Sequence, residues 1–329
     1  PLSIPVCIPS PPPLPLPTPS LATCGQGDSV LVDGAKRDRV IWPGDMGVSS
    51  LTAIATTGDL DAARNSADTL FAYQQPDGML PYAGPPVSFF GRSDTYHLWA
   101  LLGAYNVAVH DADPGGAWLR RVWGGFERGV AASAAKVSAR GLFSVDEDAD
   151  WQRGGQGGEN TAANMLYLRV LAAAAELAAQ LGNASAATAY GARHEALRSA
   201  ILVHLWDEPR GAFVDNTNNR GLLPQDGNAL AVWFNATSAA QAGRVSDYLR
   251  TNWGTYGAAS PEWGGNIGTF PGSMEVHAHM AAGRTDRAHA LIRLQWGYML
   301  SMPQGTQSTF WEGYNADGTF NFQGIYMSH

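Results

Sequence analysis

Residues 160–181 carry apolar side chains on almost every face, whereas 186–205 keeps them to one stripe of Tyr190, Leu197, Ile201 and Leu205 at helical spacing. The first pattern predicts a helix buried all round, and the second an amphipathic helix beside it. The same periodicity predicts helices near 46–56, 62–74, 94–110, 117–137, 227–234, 239–251, 273–282 and 286–300. Short polar connections (TGDLD, DADPGG, GNAS, NATS, GRT) join them in pairs, as antiparallel helix hairpins require. Much longer segments, at 75–93, 138–159, 206–226, 253–273 and 301–320, separate the pairs, and loops of that length are uncommon unless they carry function. Alternation of short and long connections puts all the long ones at one end of a stack of hairpins. An inner ring of buried helices inside an amphipathic outer ring is an all-α, α/α toroid. The hairpins share no repeated sequence, which argues against a regular solenoid.

The first twenty residues hold nine prolines, so 1–24 is expected to be extended or disordered, with the helical domain at 25–329. This start has neither the basic region nor the unbroken apolar run of a secretory signal. Acidic residues outnumber basic ones, 29 to 21, and no window collects enough Lys and Arg to track a phosphate backbone, so nucleic acid is not an expected partner. The longest apolar candidate, LYLRVLAAAAELAAQLG, is interrupted by Arg169 and Glu176 and falls short of the ~18 to 20 residues that cross a bilayer, so no membrane association is expected. Cys7 and Cys24 both precede the helical body, which therefore offers no thiolate nucleophile or Cys-ligated metal. Acceptor sequences at Asn183 and Asn235 favour a secreted, extracellular glycoprotein.

Charge is sparse along the chain except at 32–47, where Asp33, Asp38 and Asp45 crowd with Lys36, Arg37, Arg39 and Trp42. A surface ion-pair network contributes little and does not call for Trp42 and Gly44 in the same loop. Near the other end, Glu312 stands between Trp311 and Gly313 with no basic residue closer than Arg293. Two carboxylates on opposite walls of an aromatic cleft are what glycoside hydrolysis needs, one to protonate the leaving oxygen and one to activate water or attack carbon. Eleven tryptophans suit this chemistry, because a flat ring covers the apolar face of a pyranose. Arg37 and Arg39 would hold their neighbouring carboxylates ionised for sugar hydroxyls. Glu262, beside Trp263 in another long segment, is the rival for the general base.

The residues DGAKRDRVIWPGD, with TFWEG and the closing MSH, resemble the catalytic domain of the α-L-rhamnosidases of glycoside hydrolase family 78, especially its fungal branch, over roughly 32–329. The resemblance implies a six-hairpin barrel and an inverting hydrolase that releases terminal α-L-rhamnose from plant glycosides or polysaccharide side chains, with no metal or cofactor. Asp38 takes the general-acid place and Glu312 the general-base place, with the carboxyl groups roughly 6.5 to 9.5 Å apart. Asp33, Arg37 and Asp45 would bind rhamnose hydroxyls, and Trp42 falls on the motif's tryptophan. Trp151 matches an aromatic wall, Trp263 is a further cleft candidate, and His329 lines the sugar pocket. Many bacterial relatives carry Glu where this chain has Asp38. The family places a helix before the Asp33 motif and another after His329, so the first and last of twelve helices are expected to be missing. The alternatives are the same toroid acting on another sugar and a catalytically dead, carbohydrate-binding remnant. A polysaccharide lyase would instead use a Tyr or His base near Arg.

Other groups read as structural. The run Asp146, Glu147, Asp148 and Asp150 lacks the spacing of a calcium loop. GGQGGEN has neither the preceding strand nor the Lys-Ser/Thr pair of a phosphate cradle. His277 and His279, two apart on a helix, face different directions and are expected to pack, as is Trp296.

Overall fold

A computed structural model of the chain describes residues 4–5, 28–34, 38–84, 91–113 and 115–320. Among them are ten α-helices, in consecutive pairs, at the positions that periodicity predicts. They are α1 (Pro43–Thr57), α2 (Asp61–Ala72), α3 (Asp94–His110), α4 (Ala117–Ala134), α5 (Thr161–Gln180), α6 (Ala184–His204), α7 (Gln225–Trp233), α8 (Ala239–Thr251), α9 (Thr269–Ala281) and α10 (Thr285–Ser301). Local sequence sets many of the ends. Pro43 opens α1 at a position whose N–H needs no partner, and Gly58 closes it in the left-handed conformation, its N–H donating to Ile54 O. Ser93 caps α3, and Ser238 with Gln241 forms a reciprocal capping box at α8. The largest departure from expectation is α9, which starts four residues early because Pro271, a breaker in a helix interior, is tolerated in a first turn.

The chain divides into two compact units, Pro1–Ala135 with Ala173–Thr188, and Lys136–Ala172 with Ala189–His329. In the first, α1 packs chiefly along α3, with α2 and α4 joining it. The α1–α3 approach depends on absent side chains: a Cβ on Gly47 would sit 2.5 Å from Trp99 Cε3, and Asn106 Nδ2 donates across the interface to Gly47 O and Ser50 Oγ. In the second unit α7 packs along α9, which also receives α8 and α10. Odd-numbered helices thus neighbour one another in both units, the pattern of an inner helical layer. α5 is buried at nearly every position from Ala162 to Ala178, as its all-round apolar sequence predicts, and α6 buries only Leu197 and Ile201 of its length. α5 does meet the length and apolarity of a bilayer span, contrary to the sequence expectation, but most of it is buried within the protein, as in a core helix.

Among the described residues, three two-stranded antiparallel ladders trim the connections: β1 (Ile4–Pro5) with β2 (Ser29–Val30), β3 (Trp206–Asp207) with β4 (Ala212–Phe213), and β5 (Ile267–Gly268) with β6 (Gly313–Tyr314). The last pairs Gly268 with Gly313, and so holds the segment bearing Glu312 against the start of α9.

Candidate active site

In the first unit, the loop from Asp33 to Trp42 is clasped at its neck. Asp33 N donates to Val40 O at 3.2 Å, and Val40 N donates back to Asp33 Oδ1 at 3.0 Å. One oxygen of the predicted sugar-binding Asp33 is therefore committed to holding the loop shut. Within it Asp38 and Arg39 have φ of 49° and 56°, consecutive left-handed residues without the freedom of glycine. Such conformations cost roughly 1–2 kcal/mol per residue and collect at functional sites. Trp42 ends the loop, its ring edge-on to Tyr82 and Tyr96 at centroid distances of 5.0 and 6.0 Å. Asp45 stands in the first turn of α1, where the helix dipole favours a carboxylate. Gly44 leaves room for Tyr96, whose Cζ would lie 2.8 Å from any Cβ placed there.

In the second unit, three long segments and the start of α7 meet around Arg153. Its Nη1 donates to both oxygens of Asp226, at 2.9 and 2.8 Å, and its Nη2 to Asp215 Oδ1. All three side chains are almost wholly buried, at 1 to 3% exposure, so this is an ion triad rather than a surface bridge. Glu262 belongs to the same cluster, accepting from the backbone N–H of Gln225 at 2.8 Å and of Asp226 at 2.9 Å. Burial alone would lower Arg153, but the carboxylates of Asp226, Asp215 and Glu262 outweigh it and push the guanidinium further up. Burial raises Asp215 despite the attraction of Arg153. Burial, and then the neighbouring Asp226 charge, push Glu262 up against the opposing pull of Arg153 and the two N–H donors.

An aromatic corner lies on this cluster. Trp151 Nε1 donates to Asp226 Oδ2 at 3.4 Å, and its ring meets Trp263 edge-on at 5.8 Å and Phe270 at 6.5 Å. All three rings are half-buried. Trp263 covers Gly313, whose Cβ would fall 2.6 Å from its ring. The preceding residue is Glu312, also half-buried, whose carbonyl accepts from Thr269 N and Oγ1, each at 3.0 Å.

The profile of the bacterial α-L-rhamnosidase 6 hairpin glycosidase domain matches residues 22–323. The chain belongs to this family. Its members are glycoside hydrolases, and the all-α class expected from the sequence is observed, with ten helices in consecutive pairs among the described residues of a six-hairpin family domain. A rhamnosidase from Klebsiella oxytoca with rhamnose bound is similar in structure, with a TM-score of 0.73 and 23% identity over 91% of this chain and 56% of its own. An α-L-rhamnosidase from Streptomyces avermitilis complexed with L-rhamnose gives 0.65 and 20% over 89% of this chain and 27% of its own. This chain therefore spans about half, or less, of the length of those rhamnosidases. A family 63 mannosylglycerate hydrolase from Thermus thermophilus in complex with glucose gives 0.67 and 13% over 89% of this chain and 92% of its own. No curated protein matches the chain in sequence.

Within this glycosidase domain, Asp33, Asp38, Trp42 and Asp45 share one loop and helix start in the first unit, while Trp151, Trp263 and Glu312 come together in the second. Arg37 and His329 lie outside the described residues. Trp311, which the sequence set beside Glu312, belongs to the core with Ile267, Met299 and Tyr314, and the ring over Gly313 is that of Trp263. Sequence reasoning missed Arg153, Asp215 and Asp226, and treated Glu262 only as a rival base. His277 and His279 pack as expected: His277 stacks on Trp233 at 4.4 Å, and His279 bridges Ser246 Oγ and Glu275 Oε1 in the core. No cluster that would hold a metal ion occurs among the described residues.

Proposed function

We propose that the chain is the catalytic domain of an inverting α-L-rhamnosidase that releases terminal α-L-rhamnose from plant glycosides or polysaccharide side chains. Glu312 acts as general base, taking a proton from a water that attacks the anomeric carbon. Asp38 gives its proton to the departing glycosidic oxygen, and the anomeric configuration inverts as the C–O bond breaks on the opposite side. Asp33, Arg37 and Asp45 bind sugar hydroxyls, Trp42, Trp151 and Trp263 contact the sugar, and His329 lines its pocket. The reading is carried by the setting of Glu312: a carboxylate whose backbone is pinned by Thr269, one residue from a glycine covered by Trp263, in a domain of the rhamnosidase family. The strained pair Asp38 and Arg39 supports the other half. Residues 25–329 are read as one catalytic domain, since the family profile runs through both compact units. Secretion is supported by Asn183 and Asn235, both exposed at the turns of helix hairpins.

The likeness to the mannosylglycerate hydrolase, of which this chain covers 92%, favours a second reading with a different sugar on the same scaffold. A panel of 4-nitrophenyl glycosides separates them. Hydrolysis of the α-L-rhamnoside well above the α-D-mannoside and α-D-glucoside is the expected result, and preference for either of the latter would refute it.

A further inference from the structure

We propose that Glu262 is a positioning residue of this site: its carboxylate fixes the aromatic corner and, through it, the backbone at Glu312. The inference rests on the function proposed above. Glu262 lies in the single turn Pro261–Trp263, and its two oxygens accept the N–H groups of Gln225 and Asp226, the first residues of α7. A carboxylate bridging two parallel donors at the positive end of a helix is a directional clamp, which no apolar side chain of the same size provides. The clamp fixes the turn that carries Trp263.

Trp151 is tied to the same helix start from another segment, by its indole N–H on Asp226 and by Arg153, two residues along, gripping both Asp226 oxygens. Two tryptophans from separate long loops are thus registered against one point and meet edge-on. Trp263 then occupies the space of the missing side chain at Gly313, so a shift of its ring moves the strand beside Glu312. Behind the clamp, Ser260 Oγ donates to Gln225 Oε1, and Gln225 Nε2 donates to Glu275 Oε2 at 2.7 Å, anchoring the helix start in the core. Asp226, whose N–H Glu262 accepts, is itself gripped with Asp215 by Arg153, so the clamp is fixed to a buried ion cluster.

The test is Glu262→Gln, which keeps the shape but replaces one acceptor with a donor facing an N–H. The T-shaped Trp151–Trp263 pair is expected to give a near-ultraviolet circular dichroism band, to be assigned with Trp151→Phe and Trp263→Phe. In Glu262→Gln this band is lost while the far-ultraviolet spectrum stays. On an aryl α-L-rhamnoside kcat falls on the order of 10- to 100-fold, more than KM rises, and Glu262→Asp restores part of both band and kcat. An unchanged band with unchanged kcat, or an Asp variant no better than the Gln variant, overturns the proposal. If Glu262→Gln does not fold, Glu262→Asp decides alone: a weakened band with reduced kcat supports the clamp, and wild-type values for both overturn it. The band is read without substrate, so a wild type inactive on rhamnosides refutes the functional reading while the spectral arm still judges the clamp.

Discussion

Glu312→Gln is expected to lower kcat for α-L-rhamnoside hydrolysis on the order of 10²- to 10⁴-fold, by about the same factor whether the leaving group is 4-nitrophenol or an alkyl alcohol. The base acts on water, and its task does not change with the leaving oxygen. Asp38→Asn should behave differently. Nitrophenolate departs without much protonation, so loss of the acid costs little there and far more on the alkyl rhamnoside. Asn is also among the residues that best tolerate the left-handed backbone found at Asp38, so the substitution removes the carboxyl while leaving the loop's conformational preference intact. Steady-state kinetics of both variants on both substrates separates the roles. Equal sensitivity of Asp38→Asn to the two leaving groups would remove Asp38 from the acid's place.

The second large effect is on stability. Arg153→Met leaves Asp215 and Asp226 buried without their cation, and breaking a buried ion cluster from one side typically costs about 3–5 kcal/mol. Burial already raises Asp215 with Arg153 present. In the variant Asp215, having lost the attraction that opposes burial, should bind its proton more tightly folded than unfolded, so stability is greatest at acid pH and is lost as pH rises through its raised folded-state value. Urea unfolding at pH 7 and near pH 4 measures this: the deficit of Arg153→Met is expected to be large at pH 7 and to shrink on acidification. A deficit independent of pH would mean that lost packing of the long arginine stem, rather than the orphaned charges, accounts for it.

The helices were legible because burial imposes its period on the sequence directly: the all-round apolar character of 160–181 and the single stripe of 186–205 reappear as the deeply buried α5 and the largely exposed α6. The Asp33–Asp45 loop was legible because its functional candidates are close in sequence. The Arg153 cluster was not, since its partners are 62 and 73 residues away and only the tertiary fold joins them. The one available signal was an arginine and three acids in long segments that have no other need of charge. Trp311 misled for the same reason, because adjacency to Glu312 in sequence says nothing about which ring the fold brings alongside. The clasp at Asp33 and Val40, seven residues apart, carries no motif either, since half of it is backbone.

The most direct test of the account is the stereochemistry of the first product. Proton NMR of 4-nitrophenyl α-L-rhamnoside with the wild-type chain should show the β-anomer of rhamnose appearing first and then mutarotating, as a single water displacement requires. Initial release of the α-anomer, or intact rhamnoside beside a well-folded protein, would contradict it.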